Sequence, residues 1–287
     1  ANREAVSAYT AGSSTGFIAA GESGTILTGD SSAGTWTAVG DLKQSGTYPY
    51  LRGIVYTGLQ YVAVGSSKEY SLGNIFYSQD GKKWYSKDWK NLASIIGITG
   101  HNNEVYVISD ISVASGTVSI HNISDNPAAS LIGTSADLLG IANDGSNVVC
   151  IGAVAAYASI GSGGKLGTFS APTTITHRAT ALTYSKDLSK FVALCSGGSS
   201  ITSDDGKTWS AQFPMSVTGK NYYGLAWDEK NKRFYAVGYS GLIEQSPDGE
   251  NWMSVPSGSV ATLKAISCDN GVCVAVGSGG EILKLTL

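Results

Sequence analysis

A chain of 287 residues with 42% hydrophobic content, 14% charged content and a formal net charge of −3 is long enough for one large domain or two small ones. The sparse, nearly balanced charge excludes the basic face that nucleic-acid binders carry. No apolar run approaches the roughly 18 residues of a membrane span, and no signal peptide is read at the start.

Along the chain a short apolar strand ending in a small residue recurs seven times. It reads FIAAG at 17–21, YVAVG at 61–65, VYVIS at 105–109, VVCIG at 148–152, FVALC at 191–195, FYAVG at 234–238 and CVAVG at 273–277. Its last residues, Gly21, Gly65, Ser109, Gly152, Cys195, Gly238 and Gly277, are spaced by 44, 44, 43, 43, 43 and 39 positions. A fixed period of that size in a strand-rich chain signals a propeller or an array.

Each repeat carries four strand-like pieces separated by Gly, Ser, Asn or Asp clusters. The spacing predicts a first strand at 5–10, 51–57, 95–99, 138–143, 179–185, 222–228 and 263–268. Its fifth or sixth position is often aromatic (Tyr9, Tyr56, Tyr184, Trp227), which reads as blade-to-blade packing. Third strands are predicted at 25–27, 75–77, 118–120, 242–243 and 282–284, and a fourth at 84–86. The whole predicts one all-β domain over 1–287, a seven-bladed β-propeller of mostly four-stranded blades. The repeats run over about 4–41, 51–91, 93–133, 136–177, 178–219, 220–260 and 261–287. The last repeat stops after its third strand, so either that blade has three strands or the N-terminal strand completes it.

Between third and fourth strands a turn recurs as SQDGKKW at 78–84, SDDGKTW at 203–209 and SPDGENW at 246–252, with a degenerate version at 29–36. The carboxylates of Asp80, Asp205 and Asp248 suit hydrogen bonds within the turn, as in an Asx-turn. The glycine supplies positive φ, and Trp84, Trp209 or Trp252 covers the hairpin with apolar area. This resembles the Asp-box (BNR-like) repeat of sialidase-like and photosystem-assembly-factor-like β-propellers. The resemblance implies peripheral, structural boxes. Sialidase-like members would bring three arginines gripping a carboxylate, a Tyr–Glu nucleophile pair and an acid Asp. Only Arg3, Arg52, Arg178 and Arg233 are present, too few for that triad. The photosystem-assembly relatives imply a basic patch that so few arginines would make thin.

Cys268 and Cys273 flank Asp269-Asn270-Gly271-Val272, a hairpin signal with Asn-Gly at its centre. That turn places the two cysteines as a facing non-hydrogen-bonded pair about 4.5 Å apart, within disulfide range. A disulfide implies an oxidising compartment, so the chain reads as secreted, periplasmic or cell-surface. Cys150 and Cys195 share a strand parity and read as buried free thiols.

His101, His121 and His177 are isolated, so neither a metal nor any cofactor is expected. Glu69, Asp110 and Glu281 read as solvated charges rather than the paired carboxylates of a glycosidase. The connections between second and third strands swell in repeats two, three and four, and the last of these, 153–163, holds Tyr157. Tyr48, Tyr50, Tyr70, Trp89 and Tyr157 are candidate stacking platforms there, with Arg52 and Arg178 as candidate channel residues. The function expected is a non-catalytic extracellular binding module, lectin-like or adhesive, for glycan or protein. A carbohydrate-active enzyme at the channel mouth and a protein-assembly scaffold are the alternatives.

Overall fold

The computed structural model describes residues 2–11, 14–30, 34–43, 46–67, 73–87, 94–112, 117–122, 130–135, 137–170 and 173–286. The strands form seven antiparallel sheets, each a run of consecutive strands. Six are complete four-stranded blades; the last, sheet 7, has three strands and ends at Ile282–Thr286. First strands run over Arg3–Ala11, Tyr50–Tyr56, Ile95–His101, Leu138–Asn143, Ala179–Ser185, Tyr222–Asp228 and Leu263–Asp269. They touch one another in order, and that of sheet 7 meets that of sheet 1, closing a circle around a channel. The architecture is an all-β propeller. The expectation that the N-terminal strand might complete the last blade is corrected: Arg3–Ala11 is the innermost strand of sheet 1.

Second strands are apolar without alternation because neighbouring sheets cover both faces. Tyr61–Ser66 is buried at every residue, and Phe191 to Cys195 and Phe234 to Gly238 likewise. The recurring terminal glycine has a steric cause. A Cβ on Gly21, Gly65, Gly152, Gly238 or Gly277 would overlap the carbonyl oxygen of Asn2, Tyr50, Asp137, Asn221 or Thr262, the residue entering the paired first strand.

One irregularity recurs in all seven first strands. The pairing with the second strand skips one residue near the strand's start: Glu4, Arg52, Ile96, Leu139, Thr180, Tyr223 and Lys264. Such β-bulges re-aim a side chain out of the ladder. The next residue is always small (Ala5, Gly53, Gly97, Gly140, Ala181, Gly224, Ala265), and the one after is a branched aliphatic: Val6, Ile54, Ile98, Ile141, Leu182, Leu225 or Ile266. The small residues are required by crowding. A Cβ on Gly97 would meet Ile141 at 3.1 Å, one on Gly140 would meet Leu182 at 2.9 Å, and one on Gly53 would overlap Ile98. At these three seams the aliphatic side chain leans on the small residue of the preceding sheet.

These first-strand aromatics pack as expected. Tyr184 packs against Phe191 with centroids 4.7 Å apart and Trp227 against Phe234 at 4.6 Å, both pairs tilted and each across its own hairpin. Tyr9 and Tyr56 meet across the seam of sheets 1 and 2, and Trp227 donates its indole N–H to Asp187 of sheet 5 at 3.0 Å.

The three repeated turns share one bonding scheme. In the first, Asp80 accepts the backbone N–H of Lys82 and Lys83 at 2.8 and 2.7 Å and the Ser78 hydroxyl at 3.0 Å, while Ser78 accepts the Gly81 N–H. Asp205 and Asp248 do the same. The carboxylates are therefore spent on their own turns.

Cys268 and Cys273 form the disulfide, directly opposed in register with Cα atoms 4.0 Å apart, and Asn270 and Gly271 take positive φ at the tip. Cys150 and Cys195 are free and buried, and burial pushes the Cys195 thiol up to about 11.

Candidate functional site

The connections between second and third strands and those between sheets share one face of the propeller, called the upper face. The hairpins joining first to second and third to fourth strands share the lower face. The ring of aliphatic side chains divides the channel between them. Ile54, Ile98, Leu225 and Ile266 line both the upper recess of about 240 Å³ and the lower funnel of about 820 Å³. The propeller has an upper and a lower mouth, with these four side chains between them.

All seven bulged residues line the upper recess, half-buried. They are segregated. Lys264, Glu4 and Arg52 from consecutive sheets 7, 1 and 2 make a charged arc, whereas Ile96 and Leu139 from sheets 3 and 4 make an apolar one. Thr180 and Tyr223 complete the ring, the Thr180 hydroxyl donating to the Tyr222 carbonyl at 2.8 Å. The Lys264 ammonium lies 4.9 Å above the Tyr223 ring, and the Arg52 guanidinium lies 5.6 Å from that of Tyr50. These aromatic faces hold the cations at the mouth.

Tyr50 also organises the acidic side. Its hydroxyl lies 3.1 Å from a Glu4 carboxylate oxygen and 3.0 Å from one of Glu22. Glu22 accepts the backbone N–H and side-chain amide of Asn2, and the Asn2 amide oxygen accepts the Gly279 N–H from sheet 7. The backbone N–H of Asn2 is the main cause holding the Glu22 carboxyl below the ordinary carboxylate range. The cluster latches the N-terminal residues across the seam where the circle closes. It keeps Glu22 ionised, which suits a latch and not a proton donor.

The sequence-selected residues scatter. Tyr50 and Arg52 belong to the upper mouth. Tyr48 is exposed on the same face with Lys43 4.5 Å above its ring. Arg178 does not line the channel. It sits two residues before the bulge of sheet 5 and pairs with Asp137, which holds the same position in sheet 4. Tyr157 is corrected more fully. No loop swells after the second strand of repeat four, because the third strand begins at once as Val154–Ser159, with Tyr157 inside it opposite Val149. The extra residues follow that strand instead, on the lower face. There Ser162–Gly164 reaches sheet 3, the Gly164 carbonyl accepting the Tyr106 hydroxyl at 3.0 Å. Tyr70 and Trp89 lie outside the described residues.

Sequence reasoning missed Glu4, Ile96, Leu139, Tyr223 and Lys264. Their signal is positional: each immediately precedes the Gly or Ala near the start of a first strand. Among the described residues no group of three or more His, Cys, Asp or Glu side chains is placed to hold a metal ion, and no helix is long and apolar enough to cross a membrane.

No family model matches the chain, and no curated protein matches it. Solved structures do share its fold. YCF48 from Cyanidioschyzon merolae is 16% identical with a TM-score of 0.69, over 99% of this chain and 95% of that one. A YCF48 bound to D1 peptide is 14% identical with a TM-score of 0.72, over 100% and 94%. Selenomethionine-substituted virginiamycin B lyase from Staphylococcus aureus is 11% identical with a TM-score of 0.76, over 100% and 95%. At these identities the likeness is one of fold.

Proposed function

We propose that the chain is a polypeptide-binding propeller, an assembly scaffold in the broad sense, that grips an extended segment of a partner protein at the upper mouth. The observation that carries this is the division of the seven bulged side chains into a charged arc, Lys264-Glu4-Arg52, and an apolar arc, Ile96-Leu139. A polypeptide offers both chemistries within a few residues, one apolar side chain for the second arc and polar or ionised groups for the first. That a propeller of the same fold has been solved with a peptide bound supports the reading. In this reading no catalysis occurs at the mouth, and Glu4 and Glu22 serve the latch at Tyr50.

The three-stranded sheet counts here as a seventh, truncated blade, and the Ser-x-Asp-Gly turns as Asp-boxes that fix the outer strands. The hairpin disulfide supports an oxidising compartment, hence a secreted, periplasmic or surface location. The test is fluorescence anisotropy with the best binders from a random 12-residue peptide library. Arg52→Glu with Lys264→Glu should weaken them at least roughly tenfold, the scale of one lost charge-assisted contact. Binding that ignores both changes, or a library without binders, counts against the reading.

A further inference from the structure

Six sheets carry an outer fourth strand, always antiparallel to the third, and sheet 7 presents the third strand without one. Ile282 and Leu283 stand opposite Val276 and Ala275. Ile75 and Phe76 hold the same places in sheet 2, and Ile243 and Glu244 in sheet 6. Those four residues are buried, whereas Ile282 and Leu283 stay half-buried. The edge is open in the backbone as well. In sheet 6 the Ile243 carbonyl accepts the N–H of Val255, at the end of the fourth strand, at 2.8 Å; the Ile282 carbonyl has no such donor among the described residues. An unpaired edge of this kind is a template for another strand.

The sister sheets also show what fits. Their fourth strands are short, as in Thr173–Thr174, Phe213–Pro214 and Met253–Ser254. The residue after each pair, Ile175, Met215 or Val255, is apolar and packs into the cluster at the next seam. In sheet 7 that seam faces sheet 1, where Ile282 packs against the cluster of Val6 and Phe17. Lys284, exposed at mid-strand, points to the same side, so an acidic side chain opposite it gains a cross-strand ion pair. The lysine also argues against a second copy as the occupant. Two like edges pair antiparallel about a two-fold axis only with positions of equal parity opposite each other. Lys284 would then meet Ile282, Lys284 or Thr286, and never Glu281.

We infer that the open edge of sheet 7 binds an extended segment of a partner protein by strand addition, antiparallel to Ile282–Thr286. The segment becomes the fourth strand of the sheet. It places an apolar residue opposite Ile282 and, two positions earlier, an acidic one opposite Lys284. The edge lies on the propeller's flank, and this site does not depend on the peptide reading of the upper mouth.

Selection from a random 12-residue peptide library against the full chain carrying Arg52→Glu and Lys264→Glu tests this with the upper mouth disabled. Binders should share an acidic residue two positions before an apolar one, and amide exchange should show protection over 282–286 but not over 50–54. Lys284→Pro blocks the edge at a position whose N–H points away from the second strand, and should weaken binding roughly tenfold. N-methylation at every second peptide residue leaves the chain untouched. It should abolish binding in one phase and spare it in the other, because only one side of an added strand is paired. A library without binders overturns the assignment, and so do binders indifferent to both Lys284→Pro and N-methylation. A dimer in sedimentation with 282–286 protected before any peptide is added overturns it too, since a second copy then holds the edge.

Discussion

The Tyr222 hydroxyl donates to the Glu244 carboxylate inside sheet 6, and both side chains are fully buried. Glu244 stands opposite Ala236, where sheets 1, 2, 5 and 7 place Leu27, Phe76, Ile201 and Leu283 opposite the corresponding alanine. The carboxylate also accepts the backbone N–H groups of Ser216 and Val217, both at 2.9 Å. One charged residue in an apolar position thus fixes the connection from sheet 5 to sheet 6. The task of this buried Tyr–Glu pair is structural.

Glu244→Leu should therefore destabilise although it restores the apolar pattern. It orphans the Ser216 and Val217 N–H groups and leaves the Tyr222 hydroxyl only the Val217 carbonyl at 3.3 Å, at roughly 1–3 kcal/mol for each donor that finds no water. Glu244→Gln keeps acceptors and should cost less. Denaturant unfolding of the two variants checks the order.

Burial, then the hydrogen bond to Glu244, raises the Tyr222 pKa above the ordinary tyrosine value. A raised folded pKa means that its contribution is whole below the unfolded pKa near 10 and is lost as pH climbs through the folded value. Thermal stability should fall between about pH 10 and 12, and Tyr222→Phe should flatten that fall.

On the acid side the sign reverses. Burial pushes Asp248 up, but hydrogen bonds from Asn251, Glu250 and Ser246 outweigh it and hold its carboxyl at about 2. Asp80 and Asp205 are lowered mainly by the N–H groups of Lys83 and Thr208. Their contributions are present above the unfolded value near 4 and vanish as pH drops toward about 2. Asp248→Ala should cost roughly 1–2 kcal/mol at neutral pH and remove part of the acid transition, as a melting series from pH 6 to pH 2 would show.

Much of the fold is legible in the sequence because each second strand is buried on both faces and must read as an unbroken apolar run. The first strands 138–143, 179–185 and 222–228 are predicted at their observed bounds, since charged or turn-forming residues flank them: Asp137 and Asp144, Arg178 and Lys186, Asn221 and Glu229. The mouth is harder to read. A bulge inserts one residue, so Glu4 and Lys264 fall where an alternating strand would put a solvent-facing charge, and nothing local marks them as partners of Arg52 in a ring. Tyr157 reads as a loop residue because 153–163 is rich in Ala, Ser and Gly and has only Val154 and Ile160 as β-branched side chains. Glu244 escapes for the opposite reason: a lone carboxylate in a strand reads as surface.

The glycines that end the second strands supply a steric prediction. A methyl group on Gly65 would overlap the Tyr50 carbonyl, so Gly65→Ala forces two paired strands apart and should cost roughly 1–3 kcal/mol. Because Tyr50 opens the upper mouth, peptide affinity should fall with it. Calorimetric melting and the anisotropy assay report the two effects separately.

The disulfide closes a short loop, Cys268 and Cys273 being 5 residues apart, and chain entropy assigns it about 2 kcal/mol. Reduction, or Cys268→Ser with Cys273→Ser, should lower the melting temperature by that measure. The Ala8 N–H bonded to Ser267 beside it lies at the closing seam, so exchange at Ala8 should rise as well.

The most direct test of the central claim is hydrogen–deuterium exchange of the chain with and without a saturating library-selected peptide. Binding at the upper mouth predicts protection over 2–6, 50–54, 94–98 and 262–266, with the lower hairpins at 228–232 and 268–273 unchanged. Protection confined to those hairpins, or no protection at saturation, would contradict it.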